Sequence, residues 1–225
     1  MNERTIIQIQ SGSEESGGIA NYISLLVKSK EFSVFENIVT VKKINKKLKK
    51  KYNNAKLEIF DNRINCFNFI SKVYSMGLLS LKHKNSLLHS HALKIGFLTA
   101  FSRLFFNSKF IYTNHGLRYK QKRKFVSFIF YLIEIFVMVL SEKYICIRNV
   151  DYYYLKSKIK ANFLLKKIEL IKLRLDIKKN KKKDGKFNFK APYIILGVGS
   201  LIDIKRPDKF ILWIDFLVKK GIPIK

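Results

Sequence analysis

The chain has 225 residues, enough for one α/β domain with a real core and short for two complete ones, since domains run to about 100–150 residues. With 48% hydrophobic residues, 14% aromatic and three prolines, the composition excludes a chain disordered throughout, because disordered segments lack the apolar surface that offsets ordering entropy. A formal net charge of +29 predicts attraction to polyanions, whether nucleic acid, anionic lipid or a phosphorylated substrate, and by itself does not choose among them.

From the N-terminus, Met1-Asn2-Glu3-Arg4 leads straight into Thr5 to Gln10 (TIIQIQ), read as a short buried strand, and no signal peptide is recognised. Ser11-Gly12-Ser13-Glu14-Glu15-Ser16-Gly17-Gly18 follows as a glycine-bearing loop, then a helical pattern over Ile19 to Lys28. Further strands are expected at Ser33 to Val41, Lys56 to Phe60, Ser86 to His89, Lys109 to Thr113 and Lys143 to Ile147. Helices are expected at roughly 66–81, 92–106, 121–141 and 149–158. The lysine runs Lys46 to Lys51 and Lys178 to Lys183 read as solvated loop. Strands alternating with helices argue for a Rossmann-like α/β fold: a parallel sheet with helices on both faces. Cys66 and Cys146, far apart in apolar surroundings, suggest two core thiols of a reduced, cytoplasmic protein.

The most apolar segment is Phe125 to Leu140. Its polar or small positions, Ser127, Tyr131, Glu134 and Ser141, fall on one thin helical stripe. Sixteen residues with a glutamate in the middle are short of the ~20 a membrane-spanning helix needs. A buried core helix is the favoured expectation, with a helix dipped into a bilayer surface as the alternative.

The polar segment Lys178 to Lys190 reads as a basic linker, and Pro192 to Val198 as a fresh strand leading through a turn into a helix over about Arg206 to Lys220. The expected organisation is therefore a domain over 1–177, a linker over 178–190 and the start of a second Rossmann-like domain over 191–225. One strand and one helix cannot bury both faces of a sheet, so that second part is expected to be incomplete.

Three features carry chemistry. Gly17-Gly18 at a strand-to-helix turn lets backbone approach a ligand and sets a helix N-terminus behind it, although an ordinary tight turn has the same look. Tyr112-Thr113-Asn114-His115-Gly116 stands where a strand ends, the end of a parallel sheet at which ligands bind. In Leu196-Gly197-Val198-Gly199-Ser200, a strand ends in glycine before Lys205 and Arg206, which could neutralise a diphosphate, and before Pro207, suited to a first helical turn. His89 and His91 also follow a strand. Taken as alternate positions of an extended chain, they are expected to point to opposite faces and to make a poor metal clip. No metal site is expected.

Together the pieces Ser16-Gly17-Gly18-Ile19-Ala20, His89-Ser90-His91-Ala92, Tyr112-Thr113-Asn114-His115-Gly116, Tyr144-Ile145-Cys146-Ile147, Ile171 to Ile177 and Val198-Gly199-Ser200 to Lys205-Arg206-Pro207-Asp208 resemble the GT-B glycosyltransferases of family 4, over nearly the whole chain. That group is retaining and builds capsule, O-antigen and other glycoconjugates. The resemblance implies transfer of a sugar from a nucleotide diphosphate donor to a lipid-linked or polysaccharide acceptor, with no cofactor and no metal. It implies His115 beside the transferred sugar as the catalytic residue, and Gly17, Gly18, Asn114 and Gly116 in the substrate loops. Lys205 and Arg206 would lie at the diphosphate. Where the family often has arginine after the glycine, this chain has Ser200, and the family's paired-glutamate motif belongs downstream of Lys225. The expectation is a shortened chain with weak or no turnover on its own. The rival is a basic module that binds a membrane surface, or as the weaker version nucleic acid, without catalysis. Nucleic acid is not expected as a partner, since the aromatics sit in apolar runs rather than among the basic residues. The expected location is the cytoplasm, with a peripheral place at the inner face of the membrane.

Overall fold

A computed structural model describes residues 5–10, 14–15, 17–61, 63, 65, 67–117, 124–171, 192, 195 and 207–224. The chain divides into two compact units, Met1–Arg174 and Leu175–Lys225. The first holds β1 (Thr5–Gln10), α1 (Gly18–Lys28), β2 (Glu36–Val41), α2 (Lys46–Lys51), β3 (Lys56–Ile59), α3 (Phe69–Lys82) and β4 (Leu87–His91). It continues through α4 (Leu93–Phe106), β5 (Phe110–Asn114), α5 (Lys124–Leu140), β6 (Lys143–Cys146), α6 (Asn149–Lys158), α7 (Asn162–Leu165) and β7 (Ile168–Leu170).

The seven strands form one sheet in the order β3-β2-β1-β4-β5-β6-β7, and every neighbouring pair is parallel. Parallel strands need crossovers, and right-handed crossovers put α1 and α2 on one face and α3 to α6 on the other. Two cores follow from this. The larger packs Ile7, Ile9, Leu88, Phe110, Tyr112 and Tyr144 of the sheet with Met76, Ile95, Leu98 and Val137 of the helices. The smaller packs Val39 and Val41 with Ile23, Val27, Leu48 and Tyr52. The fold is the Rossmann-like parallel sheet that the alternation of elements implied. Between β1 and β4 the chain's direction of travel across the sheet reverses, and the crevice at such a switch point is where ligands bind in open α/β sheets.

Four elements depart from expectation. The lysine run Lys46–Lys51 is a short helix, not solvated loop: the Asn45 side chain caps it by accepting from Leu48 N at 2.8 Å, and Leu48 is buried in the smaller core. The β7 strand and α7 went unread. The apolar helix α5, expected as a buried core helix, leaves much of its apolar face exposed and buries its glutamate. Its buried positions are Glu134, Val137 and Met138, while Phe125, Phe128, Ile129 and Leu132 are exposed. The polar group lies inside because it has a partner there, described below.

The second unit contains α8 (Pro207–Lys219). Most of the strand expected at 192–198, and Lys205 and Arg206, lie outside the described residues.

Candidate functional site

The crevice is built by strand register. Gln8 and His89 are Cα partners, as are Gln10 and His91, and His91 pairs in turn with Thr113. The carboxyl ends of β1, β4 and β5 therefore finish level, and the turns that follow them open at the same end of the sheet. These are the turn containing Gly17 and Gly18 and the turn containing His115 and Gly116. Side chains two apart share a face of a strand. The expectation that His89 and His91 diverge is therefore corrected: their rings lie 4.1 Å apart, centroid to centroid.

The first turn is held by its acidic residues. The Glu14 carboxylate accepts from the Lys42 amide at 3.0 Å, and Glu15 accepts from the Asn45 side chain at 2.8 Å. The buried Tyr52 hydroxyl donates toward the carbonyls of Glu14 and Ala20. Gly17 then takes φ +101°, a conformation that a side-chain-bearing residue resists. It caps α1, whose first turn carries neither an acidic residue nor a side-chain cap. That first turn, at the positive end of the helix dipole, begins at two exposed glycines.

The second turn rests on Asn114. Its Oδ1 accepts from the Gly116 amide at 2.5 Å, and its Nδ2 donates to the Tyr144 hydroxyl at 2.5 Å and toward Glu134 Oε1 at 3.4 Å. Tyr144 in turn donates to Glu134 Oε2 at 2.6 Å. This is why the glutamate of α5 faces inward. Burial, and secondarily the charge of Asp151, push its carboxyl up to about 8, so it is largely protonated at neutral pH. Gly116 has φ +137°, and a Cβ there would meet the Arg148 guanidinium at 3.3 Å.

Between the two turns lies a histidine cluster. His91 Nδ1 is 3.1 Å from His115 Nε2, His91 Nε2 is 2.8 Å from Gln8 Oε1, and His89 Nε2 is 2.7 Å from Thr113 Oγ1. Tyr22 of α1 sets its ring edge on His115 at 5.1 Å and on His91 at 5.8 Å, and it hydrogen-bonds Thr113. His89 and His91 are fully buried, whereas His115 is partly exposed. Burial holds all three rings below the ordinary imidazole range: His89 at about 3, His115 at about 4, and His91 lower in direction from burial and its two histidine neighbours. The ring nitrogens of His91 are both engaged by protein. Among the described residues no group of three or more His, Cys, Asp or Glu is disposed to hold a metal ion.

A separate cavity of about 730 Å³, lined by Ser80, Lys84, Ser86, Asn107, Ser108 and Lys109 among others, opens at the opposite end of the sheet. There the carboxyl termini of α3 and α4 present carbonyls, which disfavour an anion.

Of the sequence-derived site residues, Gly17, Gly18, Asn114, His115 and Gly116 gather at the carboxyl ends of β1, β4 and β5, while Lys205 and Arg206 fall outside the described residues. Asn114 is buried under the turn and shapes it rather than facing the crevice. Reasoning from sequence missed Gln8, Tyr22, His91 and the Glu134–Tyr144 pair. The first had a readable signal: glutamines at alternate positions of an otherwise apolar strand, on one face near its carboxyl end.

No protein-family model and no curated protein matches the chain. Solved structures do. Sucrose-phosphate synthase from Thermosynechococcus elongatus is 15% identical with a TM-score of 0.59, over 78% of this chain and 49% of that one. The Anabaena protein HepE, in complex with UDP and glucose, is 11% identical with a TM-score of 0.56, over 79% and 46%. A UDP-N-acetylglucosamine 2-epimerase is 12% identical with a TM-score of 0.53, over 76% and 48%. The chain thus spans less than half the length of each of these, and the likeness is one of fold, a Rossmann-like parallel sheet with helices on both faces.

Proposed function

We propose that the chain is the acceptor-side part of a retaining glycosyltransferase of family 4, acting on a nucleotide diphosphate sugar and a lipid-linked or polysaccharide acceptor in surface glycan assembly. The observation that carries this reading is the convergence of the double-glycine turn and the histidine-glycine turn on one crevice at the switch point, bridged by Tyr22. In this reading the open N-terminus of α1 meets donor phosphate or acceptor oxygen, and His115 stands beside the transferred sugar. Lys205 and Arg206, in a second unit that begins after a basic linker at 178–190, stabilise the departing diphosphate in place of a metal. Residues 1–177 and 191–225 are then the two units of the proposed domain organisation. The similarity of fold to HepE with UDP and glucose supports the nucleotide-sugar part.

A membrane-facing acceptor is supported by the exposed row Phe125, Phe128, Ile129 and Leu132 on α5 together with the net charge of +29, the combination that favours an anionic lipid surface. It implies a cytoplasmic protein lying on the inner face of the membrane. No helix among the described residues is long and apolar enough to cross one.

The experiment is a titration with UDP-sugars followed by a product assay on a form joined to a complete second domain. Transfer to an acceptor supports the proposal. Epimerised sugar nucleotide with no transfer favours the epimerase reading that the same fold allows, and absence of binding and of both products rejects both.

A further inference from the structure

We propose that Gln8 and His91 are positioning residues that lock His115 into one neutral tautomer, with its proton on Nε2 and a bare lone pair on Nδ1. The inference deepens the proposed function, and its consequence for a sugar substrate rests on that reading, but the tautomer does not.

The reasoning runs along a chain of atoms. Gln8 Oε1 can accept and never donate, and it lies 2.8 Å from His91 Nε2; the proton of His91 is therefore on Nε2. Gln8 and His91 are each wholly buried, and removal from water keeps the imidazole neutral, with one donor and one acceptor. His91 Nδ1 is then an acceptor, and the group facing it at 3.1 Å is His115 Nε2, which must donate. Once His115 spends its proton inward, the ring nitrogen left to meet a ligand is Nδ1, and it can only accept. The chain thus selects for a ligand that donates there, such as a sugar hydroxyl, and against a bare carboxylate or phosphate oxygen.

Among the described residues, the other groups around His115 do not compete for its proton. Tyr22 from α1 meets His115 ring to ring in a T-shaped contact while its hydroxyl is engaged with Thr113, His89 from β4 directs Nε2 to Thr113, and Arg148 beside Gly116 offers donors. Gln8 Nε2 and His89 Nδ1 are buried without hydrogen-bond partners, so part of the hydrogen-bonding capacity of this cluster is given up while the Gln8–His91–His115 line is kept.

The chain contains four histidines, so side-chain ¹⁵N resonances can be assigned by single substitutions. Long-range ¹H–¹⁵N correlation at pH 7 on the full chain, without nucleotide, is expected to show the Nε2–H tautomer alone for both His91 and His115. Gln8→Leu, which removes the acceptor, is expected to turn the His115 pattern into an average of two tautomers. An Nδ1–H or averaged pattern for His115 in the unaltered chain overturns the proposal, as does an unchanged His115 pattern in folded Gln8→Leu. If that variant does not fold, the unaltered chain's spectrum decides. UDP-sugar added to the same sample tests the functional reading separately: a locked tautomer with no response to nucleotide sugar rejects that reading and leaves this one standing. An averaged tautomer with saturable binding does the reverse.

Discussion

Tyr144 donates to Glu134 Oε2 at 2.6 Å with both side chains fully buried, tying α5 to β6 directly beneath the Asn114 turn. Because Glu134 is largely protonated near neutrality, Glu134→Gln is expected to cost about 1 kcal/mol, while Glu134→Leu leaves Tyr144 and Asn114 partly unpaired and costs about 1–3 kcal/mol. Denaturant melts at pH 6.5 check the order. The Leu variant is also expected to broaden the Gly116 amide, whose partner is Asn114.

Stability is expected to peak near pH 6.5. His89 and His115 have folded pKa values of about 3 and about 4 and His91 is depressed as well, so as pH falls below the unfolded value of about 6.5 the unfolded chain gains protons that the folded chain refuses. Stability is lost in that window at up to about 1.4 kcal/mol per pH unit for each ring. Glu134, raised to about 8, acts with the opposite sign: its contribution is whole below about 4.5 and is lost as pH rises to 8. Between pH 4.5 and 6.5 three rings outweigh one carboxyl; above 6.5 the carboxyl acts without them. Glu134→Gln should flatten the alkaline limb and steepen the acid limb between pH 4.5 and 6.5, where the opposing slope of the carboxyl is removed.

Gly116→Ala is expected to destabilise by about 1–3 kcal/mol, since it combines a positive φ with the close Arg148 guanidinium. Gly17→Ala meets open space and a positive φ, so its cost is backbone strain alone, about 1–2 kcal/mol. Thermal melts of the two should therefore rank Gly116→Ala lower.

Ile129→Glu with Leu132→Glu should abolish flotation with anionic vesicles and leave the melting temperature within a few degrees of the parent, because both side chains are exposed. Equal flotation of the double variant, or a preference for single-stranded oligonucleotide over vesicles, removes the membrane part of the proposal.

The sheet was legible because its strands carry branched apolar runs separated by helical periods, and the two turns because glycine and histidine stand at strand ends. Register was not legible. Ending β4 at His89 rather than His91 hid the fact that Gln8, Gln10, His89, His91 and Thr113 share one face, and only pairing across strands separated by up to 83 residues joins Gln8 to His91. The facing of α5 was not legible for a related reason. A lone glutamate in an apolar helix goes to solvent unless a distant partner receives it, and Tyr144 and Asn114 come from two other strands. The lysine run of α2 concealed its one anchoring residue, Leu48.

The most direct test of the central claim is an amide and side-chain NMR titration of the chain with UDP-glucose and UDP-N-acetylglucosamine. The account predicts saturable shifts, with Kd of about 1 mM or tighter, concentrated at Gly17, Gly18, His115 and Gly116. Shifts confined to the opposite end, around Ser86 and Ser108, or no shifts at all, would contradict it.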